Sequence, residues 1–91
     1  MSAVSTDDIQ IFLRDFVART QLEQGRQPPH SLDDDCDMLL SGYLDSLGLL
    51  QLMTALQDHF GREIDFDSLD PEQMTIVGPL KIFVAEQLTK P

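Results

Sequence analysis

The chain has little positive charge. Six Lys and Arg stand against 16 Asp and Glu, a formal −10 at pH 7 over 91 residues. Phosphate backbones are bound by clustered Lys and Arg, so nucleic acid is not an expected partner. A surface of this sign is repelled by anionic membranes and steered toward basic proteins. A single cysteine, Cys36, excludes an internal disulfide and points to a reducing compartment. Tryptophan is absent. No apolar run approaches the ~18 residues of a membrane span, and the chain does not open on a basic segment followed by an apolar one. Membrane insertion and secretion are therefore not expected, and a cytoplasmic location is. The length fits one domain, 1–91, with a small core and no large enclosed cleft.

The charge is concentrated. Residues 31–75 hold eleven acids and one base, Arg62, which accounts for the whole net charge. Helical spacing organises the remainder. Ser5 with Asp8 approximates a capping box, and Ile9, Phe12, Leu13, Phe16, Val17 and Thr20 form an apolar stripe that Gly25 ends, a helix over about 6–23. Residues 24–44 form a long connection holding Pro28, Pro29 and the acidic run Asp33, Asp34, Asp35 and Asp37. Its length suggests a functional loop or one containing a turn, tied down by Leu32, Met38, Leu39, Leu40, Tyr43 and Leu44. Asp45 is the natural cap of a second helix over about 46–60, with the stripe Leu49, Leu52, Met53, Leu56 and Phe60 and with Gly61 at its left-handed end. Leu47, Leu50 and Thr54 lie on a neighbouring strip. Asp70-Pro71 starts a short third helix, about 71–75, and Gly78-Pro79 a fourth, about 78–89. The fold expected is all-α, a four-helix bundle with a long loop after helix one, both Leu56 and Phe16 in its core, and five phenylalanines crowding the interior.

Catalysis by the chain itself is not expected. Ser46 and His59 sit at opposite ends of one helix, ~20 Å apart by helical rise, and no third residue orients either His30 or His59. Neither the Asp33–Asp37 run nor the frame starting at Asp65 has the turn glycine and closing glutamate of a calcium loop, so no metal site is expected. Like charges beside Cys36 disfavour its thiolate. Ser46 stands apart. Just after an Asp cap, at the head of an amphipathic helix and among acids, its hydroxyl cannot activate itself but is well presented to another enzyme.

The stretch Gly42-Tyr43-Leu44-Asp45-Ser46-Leu47-Gly48 resembles the attachment signature of the acyl and peptidyl carrier proteins, whose centre is Asp-Ser-Leu at the start of the second helix. Leu52, Ala55, Leu56 and Phe60-Gly61 continue that helix's pattern, Ile64 and Phe66 fit the family's segment after it, and the likeness covers almost the whole chain. The resemblance implies 4′-phosphopantetheine joined to Ser46 as a phosphodiester by a separate phosphopantetheinyl transferase. It also implies a thiol holding an acyl or aminoacyl group as a thioester. Partners would meet Leu47, Leu50 and Thr54, with Asp45 and Asp58 as nearby charges. The chain departs from fatty-acid-type carriers at Gly48, Gln51 and Gln57, where those carriers have acids.

The segments Leu52–Gly61 and Phe66–Thr75 resemble the D-alanyl and other free-standing aminoacyl carriers, although Met74 stands where D-alanyl carriers tend to have tryptophan. That branch implies a small amino acid loaded by a separate ATP-dependent ligase and passed to a downstream acceptor. A carrier for a specialised fatty-acid or polyketide pathway is the alternative, and an unmodified acidic interaction module is the alternative of another class. With Met1 opening the chain and Pro91 just past the last helix, a free-standing monomer is expected.

Overall fold

Helix α1, Thr6–Glu23, begins on a complete capping box: the Ser5 hydroxyl accepts the Asp8 amide and the Asp8 carboxylate accepts the Ser5 amide, both at 3.2 Å. The structure, a computed structural model, describes residues 5–89. Helix α2 is Ser46–Phe60, closed by Gly61 at φ 71° in the left-handed region. A single 3₁₀ turn, Phe66–Ser68, precedes α3, Pro71–Met74, and α4 is Val77–Thr89. The all-α expectation holds among the described residues, and no helix boundary moves by more than one residue from the sequence reading.

Helix α1 packs on both α2 and α4, and α3 packs on α4. The core is aliphatic: Ile9, Leu13 and Val17 meet Leu52, Leu56, Ile64, Val77, Leu80, Val84 and Leu88. Leu32, Met38 and Leu44 enter it from the long loop. The five phenylalanines do not fill the interior. Phe12, Phe16, Phe60, Phe66 and Phe83 are each half-buried against its rim. The reason is angular. On α1 the line facing the core runs in steps of four through Ile9, Leu13, Val17 and Gln21, which puts Phe12 and Phe16 to one side. There Phe12 meets His59 at 4.8 Å and Phe60 at 5.9 Å between ring centroids. Leu39 and Leu40, expected to anchor the loop, are exposed, Leu40 at 86%.

The loop is held by Leu32, Met38 and Leu44, as expected, and also by backbone hydrogen bonds. A helix leaves its first amides without intrahelical partners. At α4 the Val77 amide goes to the Cys36 carbonyl and the Gly78 amide to the Asp34 carbonyl, both at 2.9 Å. Pro79 has no amide to satisfy. Residues 34–38 thus run antiparallel to 75–78, with Asp37 paired to Ile76 and the Met38 amide on the Thr75 carbonyl at 2.8 Å. Gly78 lets the two segments approach closely, because a Cβ there would lie 3.0 Å from both the Cβ and the carbonyl oxygen of Asp34. Lys81 closes the same corner, bonding Asp34 at 2.6 Å and Gln10 at 2.9 Å, while Gln10 donates to the Leu32 carbonyl at 2.6 Å.

The packing and the clasp can each be probed by substitution. Leu56→Ala, at a fully buried position, is expected to cost about 2–5 kcal/mol and Phe16→Ala clearly less, measured by urea denaturation. Gly78→Ala is expected to destabilise by about 1–3 kcal/mol, because the clash with backbone outweighs the ~1 kcal/mol gain in helix propensity. The Asp37 carboxyl is held below the usual carboxylate range chiefly by the Leu40 amide, which outweighs the opposing effect of burial, with the Thr75 hydroxyl and Leu39 amide adding to the lowering. A depressed folded-state value contributes stability that is complete above the unfolded value of about 3.9 and is lost as pH falls through the folded one. Below about pH 4, stability is therefore expected to fall less steeply in Asp37→Ala than in the parent, as read from denaturation midpoints against pH.

Candidate functional site

The start of α2 is built outward from the clasp. Asp37 accepts the amides of Leu39 and Leu40 at 3.0 Å, rounding a turn whose Gly42 stands at φ 82°. The Leu44 amide returns to the Met38 carbonyl at 3.0 Å. From α1, the buried Gln21 donates to the Tyr43 carbonyl at 2.8 Å. The chain therefore arrives at Asp45 fixed on two sides. Asp45 caps α2 as expected, its carboxylate accepting the Gly48 amide at 2.7 Å. Gly48 is buried, and a Cβ on it would lie 3.1 Å from the Asp45 carboxylate and 3.4 Å from Leu44. Its lack of a side chain thus serves the packing of the cap.

Ser46 occupies the first helical position and is exposed. Among the described residues no side chain hydrogen-bonds its hydroxyl. Leu47 and Leu50, one helical turn apart, are 62% and 60% exposed. Leu50, Thr54 and Asp58 are brought together with Gln51 and Ala55 around a shallow open depression of about 370 Å³. Leu49 is half-buried against the core. Gln57, one of the departures from the acidic helix-two pattern, accepts the Ile64 amide at 2.8 Å and so has a structural task.

A second depression, about 430 Å³, lies beside Ser46 and is lined by Gln24, Arg26, Leu39, Gly42, Tyr43, Leu44 and Asp45. Its charged residues are Arg26 and Asp45. The Asp33–Asp37 run, expected to surround Ser46 with negative charge, is turned to the start of α4 instead, with Asp34 on Lys81 and Asp37 beside Thr75 and Ile76. Arg26 and Gln24 were not legible as site residues. The only available signal was that Arg26 is the sole Lys or Arg between residues 20 and 61.

The remaining reactive groups lie elsewhere. His59 packs against Phe12 with its ring tilted and meets Phe60 edge-to-face at the far end of α2. The Cys36 thiol is pushed up chiefly by burial, which the Ser41 hydroxyl partly offsets, with the carboxylates of Asp33 and then Asp37 adding to the rise. The direction matches the sequence expectation, with burial as the leading cause. Among the described residues no three His, Cys, Asp or Glu side chains converge as a metal site would require. The site presents an exposed hydroxyl at a capped helix start. Asp45→Ala is expected to cost about 0.5–2 kcal/mol through loss of the cap, and Asp45→Asn, which keeps an acceptor for the Gly48 amide, less, both measured by denaturation.

No curated protein and no solved structure matched the chain. Residues 14–76 match the family described as "Phosphopantetheine attachment site". That span runs from within α1 through the clasped loop and α2 to Ile76, more than half of the sequence. The chain belongs to the phosphopantetheine attachment family: it is a carrier domain, not an enzyme.

Proposed function

We propose that Ser46 bears 4′-phosphopantetheine through a phosphodiester and that the chain shuttles a small amino acid between enzymes. The observation that carries this reading is an exposed serine hydroxyl on a rigid, capped helix start in a chain of this family. The surroundings suit an anionic phosphodiester. The first amides of α2, at Ser46 and Leu47, have no protein partner among the described residues, and Arg26 stands in the adjoining depression. When bound, the group would supply a terminal thiol able to hold cargo as a thioester.

Asp45 keeps α2 wound up to Ser46, so the hydroxyl is held still for a phosphopantetheinyl transferase that must provide the base. Leu47 and Leu50 give that enzyme, and later partners, an apolar contact. Thr54 adds a hydroxyl on the same face, and Asp45 and Asp58 set a negative edge that favours basic partner surfaces. A monomeric, cytoplasmic shuttle serving a transferase, an ATP-dependent ligase and an acceptor enzyme is the form this reading implies.

The short cargo is supported by the likeness of Phe66–Thr75 to aminoacyl carriers and by an interior occupied by one continuous aliphatic cluster. An aminoacyl group carries an ammonium that prefers water. A long acyl tail would need shelter worth about 0.8 kcal/mol per methylene. A specialised acyl carrier is the second reading, favoured by the surface depression of about 500 Å³ where Leu69, Pro79, Ile82 and Phe83 offer apolar contact.

Co-expression with a broad-specificity phosphopantetheinyl transferase tests the attachment. The expected result is a gain of one phosphopantetheine mass that Ser46→Ala abolishes. No gain with several transferases would instead support an unmodified interaction module. Loading the holo protein with purified ligases then decides cargo: an amino acid is expected, and efficient loading of only long acyl chains would overturn the aminoacyl reading.

A further inference from the structure

The groove beside Ser46 contains a cation held in place. Arg26 is alone among seven acids between residues 20 and 61. Gly25, at φ 73°, turns the chain out of α1, and the Arg26 amide is tied back to the Gln21 carbonyl at 2.8 Å. Its guanidinium then reaches across the loop, donating from Nη1 to the Gly42 carbonyl at 3.2 Å, four residues before Ser46. No carboxylate pairs with it among the described residues, where the ion pairs are Arg14–Asp15 and Lys81–Asp34. A guanidinium has five N–H donors, so one bond to Gly42 leaves most of the fork available. An unpaired arginine in so acidic a chain, steadied by a main-chain carbonyl beside the modified hydroxyl, has an electrostatic use. Asp45 would repel a phosphodiester on Ser46, and a nearby cation offsets that repulsion.

We infer that Arg26 binds the phosphodiester carried by Ser46 and that Tyr43 and Leu39 receive the apolar dimethyl segment of the arm next to it, making this groove the arm's resting site. The inference rests on the attachment proposed for Ser46. Planar, multi-donor recognition of phosphate oxygens suits arginine better than lysine. The groove also accounts for Leu39, which the core leaves 38% exposed, and for the half-buried Tyr43. Arg26 is a positioning residue: it would bias where the arm waits without touching the cargo's thiol.

The test uses holo protein whose single phosphopantetheine is confirmed by mass spectrometry, in the parent, Arg26→Lys and Arg26→Ala forms. Nuclear Overhauser contacts from the arm's geminal methyls to the Tyr43 ring and Leu39 methyls are expected in the parent. The Arg26 side-chain and Gly42 amide signals should also shift between apo and holo forms. In Arg26→Ala those contacts should disappear and the phosphorus resonance should move to the position of the same phosphodiester in urea-unfolded holo protein, with Arg26→Lys intermediate. Spectra of the apo variants report separately that they are folded. Fully modified parent protein with no arm contacts and unshifted Arg26 and Gly42 signals would overturn the inference while leaving the attachment intact. Absence of the added mass would overturn the attachment, and the inference with it.

Discussion

The amides at the start of α4 have to be satisfied, and the way they are satisfied organises the molecule. The Cys36 and Asp34 carbonyls take the Val77 and Gly78 amides, so an acidic loop segment becomes a cap for a distant helix. Because that segment cannot move without exposing those donors, Met38 is delivered to the core and the turn through Gly42 starts from a fixed point. The Met38 carbonyl then holds Leu44, Asp45 winds the first turn of α2, and Ser46 projects from it. Each link is a backbone or cap hydrogen bond worth little alone, on the order of 1 kcal/mol net, but each is costly to leave unmade when buried.

This construction suits a carrier. The chain holds a hydroxyl at a capped helix start and keeps it exposed, with no side chain among the described residues hydrogen-bonded to it. The charge is divided accordingly: Asp34 and Asp37 are engaged on the clasp, Arg62 donates to the Leu88 carbonyl at the end of α4 at 2.8 Å, and Asp58 remains exposed on the face of α2. The favourable placement of Arg62 comes from the negative end of the helix dipole. Some of the acids concentrated in residues 31–75 therefore have local structural tasks, Asp45 and Asp70 as helix caps among them.

The features legible in the sequence were those that local rules determine. The Ser5–Asp8 box, the Asp45 and Asp70 caps, Pro71 and Gly61 each act within one helical turn, and all of them stand where they were expected. Ser46 was visible because its neighbours form a contiguous signature. The clasp was not, since carbonyl-to-amide pairing between residues 34–38 and 75–78 leaves no side-chain pattern beyond Gly78. The phenylalanines misled because periodicity identifies an apolar face but not its centre line, and on α1 the centre continues to Gln21, a polar residue whose amide reaches Tyr43. Arg26 was overlooked because its importance comes from a turn that folds it against Gly42, sixteen residues away.

Residue-resolved amide hydrogen exchange under native conditions tests most directly whether the clasp governs the site. The amides to compare are Met38, Leu44, Gly48, Val77 and Gly78, with Leu13 and Leu56 as references for the core. If the clasp organises the start of α2, these five amides open together, with similar free energies close to that of the core, and weakening Gly78 lowers protection at Leu44 and Gly48 as well. Fast exchange at Met38, Val77 and Gly78 alongside undiminished protection at Leu44 and Gly48 would contradict the account, because Ser46 would then be positioned by α2 alone.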